Sequence, residues 1–427
     1  MASWLAALAS PQIPPSSLQP QVQPQVQPQV QPQVQPQVPQ VQPQPLPPQS
    51  TIPAAASTLP PPRPRRRLLL WQGERFDGRL RFMYDPIMST LRRGAAETFN
   101  HNAWSIEQRF GGADSAEAAA QLDSLKCGDV FVWIGKAQLN VFLPGDGRSI
   151  PVPSDPVYGE LVTYRMRQRG VRTIYYQTEP FGPAEEEGMM FSPSFCDTKT
   201  SPFDEIWDYS HANLKRYWDK CPTGPRPVVR YVPPGNLYAM AIQRADVINS
   251  CVAGGAGFLG GPRPDRLEYI RSLELQAKQS PWQNLTSRDA FAVSMGDGIW
   301  DYEVLGSYLR KSCVQLNIHK YAKLNTEAFE AVRGATLVSA GVLLVSQMSD
   351  PDDQQEWAGI VHFAETPQAL GTEVARLTQL PDEERRFHAL ARARLFDQKF
   401  APKRIFENAK LGDILGDAMP AQCNVRG

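Results

Sequence analysis

The chain has 427 residues, room for two or three domains, and its 44 Lys and Arg are matched by 44 Asp and Glu. Zero net charge excludes a nucleic-acid-binding protein that works by bulk charge, so no nucleic-acid partner is expected. No run reaches the ~20 apolar residues of a membrane-crossing helix. The start, MASWLAALAS, lacks a basic n-region, and a cytoplasmic protein is expected.

Residues 1–67 differ in kind from the rest. Pro20 to Val38 repeats PQVQ, and PPPRPRRR closes the segment at Arg67. Pro and Gln bury no core, so a disordered or polyproline II arm is expected. It is either a solvated spacer or a ligand for SH3- or WW-type modules. Arg63, Arg65, Arg66 and Arg67 form a short basic cluster suited to an anionic surface.

From Leu68 strand-like and helix-like runs alternate. Leu80–Tyr84 reads as a strand, and Pro86 opens a helix through about Phe99. A helix over Ala116–Lys126 precedes a buried strand, Gly128–Gly135. Tyr158–Arg169 is helical, and Val171–Tyr176, Glu205–Trp207 and Val228–Val232 are strands. The second half starts irregularly, with five glycines between Gly254 and Gly261 read as a loop. Helices follow at Arg263–Gln276 and Asp301–Lys311, the latter with Asp301 as N-cap. Cys313–Ile318 is a strand, Glu327–Ala340 a helix, and Gly341–Ser346 and Ile360–Phe363 strands before a helix from Pro367. Apolar strands separated by helices predict parallel sheets covered on both faces. The fold class is therefore α/β: two doubly wound, Rossmann-like domains, 68–235 and 236–427, facing a cleft and joined near Pro233–Asp246.

Six cysteines lie scattered without a CxxC pair, so no zinc or redox motif is supported and reduced thiols are expected. The sequon Asn284-Leu285-Thr286 matters only in a secreted chain.

In open α/β sheets ligands sit beyond the carboxyl ends of the strands, and that rule selects positions. Gly135 either lets backbone approach a ligand or closes a tight turn. Glu179 is either a base or sugar-binding carboxylate, or a solvated loop charge. Ser210 is placed to cap the next helix, leaving His211 in its first turn as a general base or a structural histidine. Asn317 and His319 end a strand and reach toward the cleft. Glu330, after a candidate cap at Thr326, lies where a helix dipole favours a carboxylate, and Arg333 pairs with it at i+3; on pattern alone these ordinary reasons suffice. No GxxxxGK[ST], HExxH or GxSxG is present.

In order, FDEIWDYSHANL, VVRYVPPGN, VQLNIHKY and FEAVRGATLVSAGVLLVSQ resemble a family of glycosyltransferases with two Rossmann-like domains, the GT-B architecture, over roughly Asp129 to Leu370. The resemblance implies transfer of a hexose or pentose from a nucleotide sugar, the C-terminal domain holding the nucleotide and the N-terminal domain the acceptor. Glu330 matches the glutamate that contacts the ribose or donor sugar. Arg333 and Lys320 would help neutralise the leaving diphosphate, and Asn317, His319 and Gln347 fall in the same donor region. Neither a metal nor another cofactor is expected, and His211 or Glu179 would be the acceptor-side base. Where the family often has Ser-Glu, this chain has Ser346-Gln347, and its glycine-rich loop is reduced to Gly135. The alternative is a non-catalytic binding or scaffold protein of the same fold with a Pro-rich interaction arm.

Overall fold

The computed structural model describes residues 65–72, 84–99, 104–110, 116–135, 141–142, 149–150, 162–181, 203–220, 227–250, 256–260, 264–279, 291–294, 301–320, 328–415 and 423. The Pro/Gln arm before residue 65, the strand expected from Leu80, the cap at Thr326 and the sequon at Asn284 all lie outside these residues, apart from Tyr84.

The first half carries strands β1 (Arg66–Gln72), β2 (Trp104–Phe110), β3 (Val130–Ile134), a small hairpin β4 (Val141–Phe142) and β5 (Ser149–Ile150), then β6 (Arg172–Gln177), β7 (Glu205–Asp208) and β8 (Val228–Tyr231). Its helices are α1 (Asp85–Thr98), α2 (Ala116–Asp123), α3 (Val162–Gln168) and α4 (His211–Lys220). All six long strands pair in parallel, in the order β2-β1-β3-β6-β7-β8. The short helices α5 (Tyr238–Ala241) and α6 (Arg244–Ser250) lead into the second half. There β9 (Ala256–Leu259), β10 (Phe291–Ser294), β11 (Val314–Asn317), β12 (Leu343–Gln347) and β13 (Val361–Ala364) form a second parallel sheet, β10-β9-β11-β12-β13. Its helices are α7 (Pro264–Gln279), α8 (Tyr302–Leu309), α9 (Ala331–Ser339), α10 (Pro351–Glu356) and α11 (Pro367–Gln379). The chain ends in α12 (Asp382–Lys399), α13 (Pro402–Asn408) and α14 (Gly412–Leu415). In both sheets the order reverses beside the first strand, so the topological switch points fall between β1 and β3 and between β9 and β11.

The strands are apolar on both faces because helices cover both. Leu68, Leu70, Val130, Val132 and Ile174 face one cluster of buried side chains, while Leu69, Trp71, Phe131, Trp133 and Tyr175 face another. The last helices cross back to the first half. α13 packs on α1, where a Cβ on Gly94 would lie 2.2 Å from the Phe406 ring, so only glycine admits that approach.

Three sequence expectations need correction. The arm does not reach Arg67, because Arg66 and Arg67 begin β1. Arg66 donates to the Gly128 carbonyl and covers the Trp104 ring, and Arg67 pairs with Glu107. Two of the four arginines read as a surface cluster are thus committed inside the fold. The glycine-rich loop near Phe258 is the strand β9. A Cβ on Gly257 would stand 2.4 Å from the Tyr308 hydroxyl and 2.5 Å from Gln315, so the glycine marks close packing, not a turn. Finally, the cysteines are oxidised: Cys127 is bridged to Cys423, 296 residues apart, Cys313 is also disulfide-bonded, and no described cysteine is free. Sequence spacing holds no trace of so distant a pair. Such bonds persist in oxidising compartments. Among the described residues no helix is long and apolar enough to cross a membrane.

Candidate functional site

At the second switch point, β9 and β11 end side by side and α7 and α9 begin. Four elements thereby converge polar side chains on one spot. Asn317, the last residue of β11, is fully buried; its amide donates to Ser346 Oγ (2.9 Å) and its oxygen accepts from Arg333 Nη1 (2.9 Å). Arg333 also grips Glu330, and Glu330 is gripped from the other side by Arg266, which reaches in from the first turn of α7. Arg266 is itself held by the carbonyls of Ile318 (3.1 Å) and His319 (2.9 Å). Both guanidinium groups lie over the Phe258 ring, at 5.6 and 5.3 Å.

Two guanidinium groups around one carboxylate leave one excess positive charge in a buried setting. Burial by itself would raise the Glu330 carboxyl, but the charges of Arg266, Arg333 and His319 hold it below its usual range. Glu330 occupies the N-cap position of α9, yet its side chain makes no capping bond. The helix therefore begins at Ala331, later than the sequence pattern suggests, because the carboxylate is drawn to the arginines instead.

His319 is buried beside this group. Its N–H donates to Gln347 Oε1 (2.9 Å), and its Nε2 lies 2.8 Å from the Met348 carbonyl and 3.1 Å from Ser349 Oγ. A carbonyl only accepts, so Nε2 carries the hydrogen and Nδ1 is the bare acceptor. Nδ1 has no partner among the described residues. Burial pushes the imidazole down to about 4, so the ring is neutral above about pH 5. Because the folded value lies below the ordinary one, the unfolded chain takes up the proton first as pH falls. Stability from this group is complete above about pH 6.5 and is lost toward pH 4, by roughly 3 kcal/mol. Urea midpoints from pH 4 to 7 should show a smaller acid loss in His319→Asn than in the unaltered chain; equal losses would contradict this.

Gln347, where the resemblance expects a charge, keeps its oxygen on the His319 N–H and also meets the Tyr269 hydroxyl, which burial raises to about 12. The neutral amide does the hydrogen bonding that a carboxylate would do here.

The first half contributes Glu179 and His211, in different places. Glu179 accepts from Lys320 Nζ (3.0 Å) and from the Tyr84 hydroxyl (3.4 Å), so it spans the cleft to the second half. His211 begins α4 and stacks on Tyr231 with ring centroids 3.9 Å apart. Ser210 caps that helix, accepting from Ala212 N (3.1 Å) and Asn213 N (3.4 Å). Gly135 follows β3 with φ +119°, a conformation that side chains resist.

Two residues escaped the sequence reading. Arg266 is one; once β9 is recognised as a strand, it stands at a strand's carboxyl end like the others. Asp353 is the other. It is buried, and its carboxylate accepts from Ser210 Oγ (2.6 Å), the His211 N–H (2.7 Å) and the Phe329 N–H (3.2 Å). Burial pushes its carboxyl up against the pull of these bonds. It ties the start of α4 to the residue before Glu330. Asp353→Ala leaves three donors unmet and should lose about 3 kcal/mol in urea unfolding. Asp352→Ala, which removes an exposed carboxylate paired with the exposed Lys215, should stay within about 1 kcal/mol.

Two parallel, doubly wound sheets with ligand-type side chains at the second switch point constitute the GT-B fold. Solved structures agree with it: α,α-trehalose-phosphate synthases (UDP-forming) from Burkholderia xenovorans, in complex with glucose-6-phosphate, and from Burkholderia vietnamiensis are each 11% identical to this chain with a TM-score of 0.50. The match covers 82% of this chain and 100% and 98% of theirs. An alpha-glucosyltransferase in complex with UDP and a 13-mer DNA is 10% identical over 82% of this chain and 98% of its own, also with a TM-score of 0.50. By sequence, the chain matches no family model and no curated protein.

Proposed function

We propose that the chain is a glycosyltransferase that moves a hexose or pentose from a nucleotide sugar to a hydroxyl acceptor. The observation that carries this reading is the Arg266–Glu330–Arg333 group beside His319 at the second switch point. A carboxylate offers about four acceptor positions, and the two guanidinium contacts use two. The remainder suits a vicinal diol such as that of a ribose. Nδ1 of His319, neutral and unpartnered among the described residues, supplies a further acceptor for a sugar hydroxyl.

The N-terminus of α9 favours the diphosphate through its free N–H groups and dipole. Lys320, on exchanging Glu179 for the diphosphate, would neutralise charge as the bond to the leaving group breaks. No metal is needed for that neutralisation. The same exchange frees Glu179 to take the acceptor proton if the reaction inverts, with His211 the other candidate base. A retaining reaction requires neither. The solved neighbours crystallised with UDP support a nucleotide donor. The cytoplasmic expectation loses the support it took from reduced cysteines.

Calorimetric titration of the folded chain with a panel of UDP- and GDP-sugars tests the reading. Binding of one nucleotide sugar, weakened by Lys320→Ala, is expected. A folded chain that binds none is not such an enzyme.

A further inference from the structure

Beside the cleft, a groove of about 510 Å³ runs along the outer side of α1, within the size range of small-molecule sites. One wall is α1 itself, where Ser89, Arg92 and Arg93 stand at i, i+3 and i+4 and so share a face. Across from it lie Tyr238 of the junction segment and Tyr302 at the start of α8, and Gln108 of the edge strand β2 completes the lining. The groove thus takes residues from both halves.

Its chemistry is specific in three respects. Arg92 has no partner among the described residues, and Arg93 reaches only Glu97, at 3.4 Å on the open surface. The one carboxylate in the lining, Asp85, already accepts the Tyr302 hydroxyl. Cationic donors are therefore in excess, Arg92 is uncommitted among the described residues, and Arg93 is held only by a long surface pair. Tyr238, meanwhile, leaves 63% of its surface in solvent, a flat apolar face against which a pyranose ring can pack.

We infer that this groove holds an anionic saccharide, a sugar bearing a phosphate or a carboxylate, with Arg92 and Arg93 on the anion and Tyr238 against the ring. Two guanidinium groups on one helix face suit a planar or tetrahedral oxyanion better than a neutral hydroxyl. Tyr84, the neighbour of Asp85 in the lining, hydrogen-bonds Glu179, which ties the start of α1 to the acceptor-side carboxylate. On the transferase reading the ligand is the anionic part of the acceptor; the affinity for an anionic sugar does not depend on that reading.

The full chain is titrated at low salt with mannose 6-phosphate, glucuronate and neutral mannose, and separately with UDP and with GDP. Both charged sugars are expected to bind at least about tenfold more tightly than mannose. The double variant Arg92→Gln, Arg93→Gln should weaken mannose 6-phosphate by about tenfold or more, and Tyr238→Ala should weaken both charged sugars. These side chains are solvent-facing, and circular dichroism checks that each variant is folded. Equal binding of charged and neutral sugars, or unchanged binding in the double variant, overturns the inference. Anionic-sugar binding without binding of either UDP or GDP removes the transferase reading and leaves the groove; nucleotide binding alone does the reverse.

Discussion

Glu330→Ala is expected to cost about 3–5 kcal/mol of stability, more than any other single side-chain change in the site. The reason is what it leaves behind. Among the described residues, Arg266 and Arg333 also bond Asn317 and the carbonyls of Ile318 and His319, none of which carries a compensating charge. Two buried guanidinium groups then face each other over Phe258 with no carboxylate between them. Against a typical total of 5–15 kcal/mol, the loss is large. Urea unfolding measures it. Adding Arg266→Met to Glu330→Ala should restore part of the loss, because it removes one of the uncompensated charges. If the two changes add without interaction, the three groups are not the coupled unit described above. Glu330→Gln separates stability from binding. It retains the shape, halves the acceptor capacity, and should weaken nucleotide-sugar binding more than it lowers the unfolding midpoint.

Opening the Cys127–Cys423 bridge should cost about 2–5 kcal/mol. Cys127→Ser, Cys423→Ser and the double variant should all lose the same amount, since each removes one and the same bond. Thermal unfolding with and without reductant measures this. Reductant should lower the midpoint of the unaltered chain more than that of the double variant, which among the described cysteines keeps only the bridge of Cys313. A midpoint indifferent to Cys423→Ser would mean that the tail is not fastened at Cys127. Chain produced in a reducing cytosol should likewise melt at a lower temperature than chain matured under oxidising conditions.

Much of the fold was legible wherever a strand is a continuous apolar run. β3, β11 and β12 read as buried parallel strands because both of their faces are covered, and α1 and α8 announced themselves by Pro86 and by the Asp301 cap, which accepts from Glu303 N and Val304 N. β1 was hidden because its first two residues look like the end of the basic arm, and β9 because its glycine signals a turn when read locally. In both cases the deciding fact is a neighbour distant in sequence: Trp104 and Glu107 for the arginines, Tyr308 and Gln315 for Gly257. The site divides along the same line. Asn317 and His319 stand at a strand end and could be picked out by position, whereas Glu330, Arg333 and Gln347 were assigned to the site by the family resemblance. Arg266 reaches Glu330 across 64 residues and Asp353 reaches Ser210 across 143, and no local pattern encodes such pairings.

The return of the chain from the second half to the first has a mechanical meaning. The two passages between the halves lie against each other: a Cβ on Gly235 would stand 2.5 Å from the Phe400 carbonyl, and Asn236 and Arg244 both hold Asp397. Two bodies joined by a pair of adjacent tethers behave like a door on two pins. A joint of that kind resists sliding and twisting more strongly than a swing about the line through the pins. Contacts off that line, Asp353 with Ser210 and His211, Glu179 with Lys320 and Lys215 with Asp350, are further ties between the two halves.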